Sequence, residues 1–356
     1  MRNILITGGA GFVGSNLGLF WKRDFPADRI VALDNLNRRG SELNLPRLKA
    51  AGIEFIKEDI RNREFLETLG ETDLILECSA EPSVQAGYGG DARYLIDTNL
   101  NGTLNCLELA RKRGSKIVFL SSSRVYPIPA LCNLPLQENE SRVFISAGKF
   151  GAGWSERGIC EDFPMEGTRS LYGATKLASE LFIQEYVAAY GMEAVINRCG
   201  VLTGPWQMGK VDQGFIVLWA AQFLYSGRLA YKGFGGKGKQ VRDILHVSDL
   251  FELLKIQISG IPRHSGTIYN VGGGMGNSVS LLELSRLCAL RSGRELLPAS
   301  SPETHPSDIP YYVTDNTRVR EATGWSPKIT VDEILDEVFQ WLKEYRGELE
   351  GLLKNS

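Results

Sequence analysis

"ITGGAGFVG" (residues 6–14) closes an apolar run, "NILIT" (3–7), and opens a helical pattern over 11–23. Glycine at 8 permits the tight turn, at 11 lets backbone approach a pyrophosphate, and at 14 lets helix and strand pack closely. The helix N-terminus then offers unpaired N–H groups and a partial positive charge to phosphates. Asp34 ends the next strand, "RIVALD" (29–34), twenty residues beyond Gly14. A carboxylate there accepts hydrogen bonds from adenosine ribose hydroxyls and repels the extra phosphate of NADP, so NAD is the expected cofactor. Arg38 and Arg39 follow closely and are the feature that speaks for NADP. "EDI" (58–60) places Asp59 and Ile60 beside the adenine or is simply the end of a strand.

Working outward, β-branched runs "IEFIK" (53–57), "DLILE" (73–77) and "KIVFLSS" (116–122) alternate with helical patterns, clearest at 11–23 and 94–113. Such alternation implies right-handed crossovers and a parallel sheet covered on both faces. A helix after Tyr172 leads to another strand, "EAVINR" (193–198). Beyond Arg198, Gly-, Trp- and Lys-rich loops (204–214, 233–240) and "PASSPETHPSDIP" (298–310) change the texture. The expected fold is α/β, a Rossmann-type doubly wound parallel sheet with a smaller, discontinuous C-terminal substrate lobe. Residues 1–198 and 244–271 are assigned to the sheet domain, 199–243 and 272–356 to the lobe.

Bulk properties exclude several classes. Of 356 residues, 43% are hydrophobic and 23% charged, with a net charge of −2 and no basic run, so a nucleic-acid partner lacks electrostatic support. Six scattered cysteines with no C-x-x-C pair read as reduced thiols of a cytoplasmic protein. Histidines at 246, 264 and 305 have no metal-ligand spacing, so no metal is expected. "MRNILITGG" leaves no room for a signal peptide, and no apolar run reaches membrane-spanning length, so no membrane partner is expected.

"GTRSLYGATKLASE" (167–180) carries the chemistry. Of 12 tyrosines only Tyr172 has a lysine four residues on, and that spacing sets Tyr172 and Lys176 on one helical face. The strand "KIVFLSSSRVY" (116–126) ends in hydroxyls at the carboxyl edge of the sheet, where catalytic groups gather in open parallel sheets. Ser121 to Ser123 are either a polar strand end or the anchor of a sugar oxygen. In the second case Tyr172 removes the sugar hydroxyl's proton. Lys176 and the positive nicotinamide ring would stabilise the phenolate and bring it toward a useful pKa.

These motifs, in this order and over nearly the whole chain, resemble the extended short-chain dehydrogenase/reductase superfamily, the NAD-dependent nucleotide-sugar epimerases and dehydratases. "GGAGFVG", Asp34, "NLNGT" (99–103), "SSSRVY" and "YGATK" carry the resemblance. It implies Tyr172 as base, Lys176 on the nicotinamide ribose, and Ser122 as oxygen anchor with Ser123 as the substitute. It implies cofactor contacts from Gly8, Gly11, Phe12, Val13, Gly14, Asp34, Asn35, Asp59, Ile60 and Asn99. It further implies a nucleotide-sugar substrate and a homo-oligomer, dimer or tetramer. "KQVRDILHVSDL" (239–250) is similar to the family's diphosphate-binding segment, with Arg242 gripping the diphosphate through parallel hydrogen bonds.

Within the superfamily, dehydratases carry an acidic pair after the catalytic hydroxyl residue, whereas Ser123 and Arg124 stand here. The common 4-epimerases show R-x-x-N-x-Y-G-P where this chain has "RCGVLTGP" (198–205). The pairing of D-Q-G (212–214) with G-K-Q-V-R-D (238–243) is most similar to the CDP-paratose (CDP-tyvelose) 2-epimerases. That resemblance implies inversion at C2 of a CDP-hexose, with Gln213, Gln240, Arg242 and Asp308 as substrate contacts. The stretch 146–164 is read as a lid, a substrate contact or an inert insertion. "ECSAEPS" (77–83) departs from the histidine-alanine pattern common near the nicotinamide, and His305 stands where relatives place an arginine.

Overall fold

A computed structural model describes residues 1–88, 90–209 and 213–354. Two compact units divide the chain. Unit 1 comprises Met1–Val125, Ser170–Cys199 and Leu250–Tyr269; unit 2 comprises Tyr126–Arg169, Gly200–Asp249 and Asn270–Ser356.

Unit 1 is built on a seven-stranded sheet. The strands of that sheet are β1 (Asn3–Thr7), β2 (Arg29–Asp34), β3 (Glu54–Lys57), β4 (Leu74–Glu77), β5 (Lys116–Ser122), β6 (Ala194–Cys199) and β7 (Ile268–Val271), of which only the last two residues of β7 are counted in unit 2. Their order in space is β7-β6-β5-β4-β1-β2-β3. The pairs β1–β2, β1–β4, β2–β3, β4–β5 and β5–β6 are parallel. β4 and β6 are buried at every position, Glu77, Asn197 and Arg198 included, as strands covered on both faces are. The strand order reverses between β1 and β4, and a crevice opens outside the carboxyl ends of strands at such a reversal.

Three helices position the groups that line this edge. They are α1 (Phe12–Asp24), α2 (Gly102–Arg113) and α3 (Leu171–Tyr190). The core beneath α2 and α3 joins Leu5, Ile75, Leu107, Phe119, Ile183 and Ile196. Ser170 caps α3, its hydroxyl oxygen accepting the Gly173 N–H at 3.1 Å. Such a cap is worth about 1 kcal/mol, and it fixes Tyr172 in the first turn.

In unit 2, strands Val201–Thr203, Val241–His246 and Ser278–Ser280 pair side by side, with Tyr311–Tyr312 added to Val241–His246. Val241–His246 therefore belongs to this sheet and not to the sheet of unit 1, contrary to the boundary expected at 244. Residues 126–169, assigned to the first domain from sequence, also pack with unit 2, because polar groups along them find their partners there. The Tyr126 hydroxyl donates to Asn270 Oδ1 at 2.7 Å, and the Ile159 N–H donates to the Val313 carbonyl at 2.8 Å. Glu161 accepts the Asn270 N–H at 2.7 Å. The stretch 146–164 is thus a small three-stranded sheet pinned through Ile159, with Phe150 exposed at its tip.

Among the described residues no helix is long and apolar enough to cross a membrane. Nor do three or more His, Cys, Asp or Glu side chains cluster among them to hold a metal ion.

Candidate active site

The glycine turn between β1 and α1 forms a cradle. Gly8 adopts φ +64°, and a Cβ there would lie 2.8 Å from the Cys78 carbonyl oxygen. A Cβ at Gly14 would come within 2.3 Å of the Gly8 oxygen, so strand and helix touch backbone to backbone. The Gly11 N-cap of α1 has no side-chain hydrogen bond, which leaves the first amides of the helix, among them those of Phe12 and Val13, for an anion. Asp34 closes β2 beside this turn. Its carboxylate accepts the Ala10 N–H at 3.1 Å and the Leu36 N–H at 2.7 Å. Burial pushes this carboxyl up, against the pull of those backbone N–H groups. Leu36 pays for the turn with φ 58°, a strained value for a non-glycine residue.

Asn35 donates to Asp59 at 2.7 Å, and Arg61 grips the same carboxylate at 2.8 and 2.9 Å. Ile60 is buried, a Cβ at Gly102 would meet its Cδ1, and its carbonyl accepts from Asn105 at 2.9 Å. Its side chain therefore serves the core. Asn99 lies in a π-helical turn, Asp97–Asn101, just before α2. Its amide is engaged by the chain itself, accepting the Glu81 N–H at 2.7 Å and donating to the Glu81 carbonyl at 3.0 Å. Asn99 thereby holds the loop after β4.

At the end of β5 the three serines separate by the two-residue period of a strand. Ser121 turns its hydroxyl to Glu180 on α3. Ser122 ends β5 half-buried, its Oγ accepting the Arg124 N–H at 3.1 Å. Ser123 starts a short 3-10 turn, Ser123–Val125. Tyr172 and Lys176 are 8% and 2% exposed on successive turns of α3. The Lys176 ammonium donates to the Leu120 carbonyl at 3.0 Å and lies 4.4 Å from the centre of the Phe119 ring. Hydroxyl, phenol and ammonium are thus all carried by unit 1.

The expected substrate contacts lie in unit 2. Arg242 and Asp308, far apart in sequence, form an ion pair at 3.0 Å, and Arg242 also donates to the Ile309 carbonyl at 2.7 Å. Gln240 is buried and donates to the Lys232 carbonyl at 3.0 Å. His305 Nδ1 is 2.7 Å from the Ser307 hydroxyl. Gln213 is half-buried, while Asp212, the first residue of the D-Q-G motif, lies outside the described residues.

Residues 4–272 match the NAD dependent epimerase/dehydratase family. The chain belongs to that family. It is 29% identical over 353 residues to CDP-paratose 2-epimerase of Salmonella typhi, covering 95% of this chain and 98% of the relative. It is 28% identical to UDP-glucuronate 4-epimerase of Thermodesulfobacterium geofontis, covering 97% of each. Among solved structures, dTDP-glucose 4,6-dehydratase of Bacillus anthracis in complex with NAD superposes with a TM-score of 0.78 at 25% identity, covering 99% of this chain and 100% of that one. The protein is thus an enzyme of the NAD-dependent epimerase/dehydratase family acting on nucleotide sugars, with NAD as cofactor. The cradle, uncapped α1 and Asp34 fit that cofactor.

Two buried carboxylates of this epimerase/dehydratase lie outside the sequence reading. Glu180 follows Lys176 by one turn and receives Arg198 of β6 at 2.7 Å, with side chains 1% and 6% exposed. Its signal was present as a Tyr172, Lys176, Glu180 stripe at steps of four. Glu77, the last residue of β4, is wholly buried. An apolar run ending in glutamate at the catalytic edge was its only signal.

Proposed function

We propose that the enzyme inverts C2 of a CDP-linked hexose of the CDP-paratose/CDP-tyvelose type, through a transient 2-keto sugar. The observation that carries this reading is the similarity to CDP-paratose 2-epimerase along 98% of that relative's length. It is supported by the absence of a carboxylate at Ser123 and Arg124, where a dehydratase needs one to eliminate water.

NAD, when bound, supplies a hydride acceptor that can return what it takes. Asp34 receives the ribose hydroxyls, and the α1 amides from Phe12 to Gly14 receive the phosphates. Asn35, Asp59, Ile60 and Asn99 shape the adenine and nicotinamide ends through the loops they fix. Ser122 holds the sugar oxygen, with Ser123 beside it, and Tyr172 takes the hydroxyl proton. Lys176 stabilises the phenolate and orients the nicotinamide ribose. On unit 2, Arg242, held in place by Asp308, grips the diphosphate, and Gln213 and Gln240 complete the substrate contacts. The nucleotide must stay clamped while the ketose turns its other face, so a cationic grip suits this reaction.

We assign the enzyme to the cytoplasm and to a homo-oligomer. Leu181 and Phe182, adjacent and exposed on α3, are apolar surface that a second copy would cover, and sedimentation velocity tests this.

The decisive assay offers CDP-, UDP- and GDP-sugars in heavy water. A hydride mechanism leaves the inverted carbon free of deuterium, whereas deuterium there means abstraction of a carbon-bound proton. Accumulating near-ultraviolet absorbance in proportion to product marks a net oxidoreductase instead. Tyr172→Phe abolishes turnover and leaves NAD bound, which a mass spectrum of the intact variant under non-denaturing conditions reads directly.

A further inference from the structure

Glu77 has no part in the chemistry above, yet its setting is specific. In the parallel register Glu77 stands beside Thr7 of β1 and Phe119 of β5. Registered neighbours point to the same face of a sheet. Phe119 is the ring above which the Lys176 ammonium lies, so Glu77 and Lys176 share one side of the sheet.

The polar and titratable groups facing Glu77 are few. The Ser79 hydroxyl donates to it at 3.3 Å and the Thr103 hydroxyl of α2 at 3.4 Å. The Ser79 hydroxyl also lies 2.9 Å from that of Thr7, which divides its single proton. The Cys78 and Cys106 thiols feel the carboxylate, and among the described residues the cation that acts on it is Lys176 on α3. Burial pushes the Glu77 carboxyl up and outweighs the opposing pull of Lys176, which comes ahead of those of Ser79 and Thr103. Two long hydroxyl contacts do not offset the burial of a carboxylate, which either finds a cation or takes up a proton. The buried ammonium has the same need. Glu180, one turn further along α3, is already occupied by Arg198.

We propose that Glu77 is a positioning residue for Lys176: its buried carboxylate is the counter-charge that holds the ammonium at the carboxyl edge of the sheet, ready to meet the Tyr172 phenolate. The inference rests on the roles given above to Tyr172 and Lys176, but its principal readout does not depend on which sugar turns over.

Infrared difference spectra of the NAD-loaded protein near neutral pH test it. The native protein is expected to lack a protonated-carboxyl band from Glu77. Lys176→Met, which removes the cation, should create that band, and Glu77→Gln in the same background should remove it. Labelling with 13C-glutamate assigns the band to a glutamate even where Glu77→Gln does not fold. A band already present in the native protein and lost in Glu77→Gln, or none in Lys176→Met, overturns the proposal.

Turnover gives the second readout. Glu77→Gln should draw the alkaline limb of the kcat profile about one to three pH units lower, the reach of one close opposite charge. KM for the nucleotide sugar stays unchanged, and Glu77→Asp restores the limb. A Glu77→Gln profile that superimposes on the native one overturns the proposal, since a merely structural glutamate moves melting temperature and not this limb. If Tyr172→Phe retained turnover while the infrared result held, the catalytic assignment would fail and the pairing would stand.

Discussion

The floor beneath α3 holds two buried carboxylates in opposite circumstances. On the β5–β6 side, Glu180 receives a guanidinium from Arg198 and a hydroxyl from Ser121. On the β4 side, Glu77 has two distant hydroxyls, and the cation that acts on it is an ammonium on the catalytic helix. The lesson lies in the cations. Guanidinium does not give up its proton in a protein, so an arginine pair is a fixed charge in the fold. Ammonium does give it up when desolvated, so a lysine beside a carboxylate is a charge that can be adjusted. The first arrangement braces the helix, and the second sets the condition of the group that the helix presents.

The largest effect expected from this contrast is on stability. Arg198→Met leaves Glu180 buried without its cation and should cost about 3–5 kcal/mol, measured by urea denaturation. Adding Glu180→Leu removes the orphaned charge and should recover much of that loss, because a well-packed apolar pair often replaces a buried ion pair without penalty. Glu77→Gln should cost less, and its cost should shrink as pH rises, since the stranded ammonium can shed its proton. Equal costs for the two single variants at all pH values would erase the distinction between fixed and adjustable charges.

How much of this was legible follows from which interactions are local in sequence. The cradle at 6–14, Asp34, and the Tyr172/Lys176 pair were readable because a turn, a strand end and a helical step each place their residues within a few positions. The location of 126–169 was not, because Tyr126, Ile159 and Glu161 meet partners more than a hundred residues away. Arg198 and Glu180 were visible singly as a strand and a helix residue, but only the packing of α3 on β6 makes them a pair. Asn99 was read as a cofactor contact from the N-L-N-G-T motif. Its amide holds Glu81 from a π-helical turn, a backbone irregularity that no spacing rule reveals.

A third carboxylate–cation pair separates binding from folding. Arg242 and Asp308 are 13% and 31% exposed, and a lysine at 242 keeps the positive charge beside Asp308. Arg242→Lys should leave the denaturation midpoint in place and raise KM for the nucleotide sugar about tenfold. That is the worth of one lost charge-assisted hydrogen bond of roughly 1.5 kcal/mol. A fall in kcat with KM unchanged would move Arg242 out of ground-state binding and into the chemistry.

The smallest effect concerns Asp59, which follows β3 at the edge of the seven-stranded sheet and has an arginine of its own. Burial pushes this carboxyl up, but hydrogen bonds from Arg61 and Asn35 outweigh it and hold the group at about 2, below the ordinary 3.8. A depressed carboxylate contributes stability that is fully present above its unfolded value and is lost as pH falls through its folded one. The window is therefore from about 4 down to about 2. Arg61→Met removes the largest of the lowering influences, so the variant should be less stable than the native protein above pH 4 and converge on it as pH approaches 2. Melting temperatures recorded across that range decide it. A constant offset between the two curves would mean that Arg61 acts through its stacking on Tyr94, whose ring centre is 4.8 Å away, and not through the carboxylate.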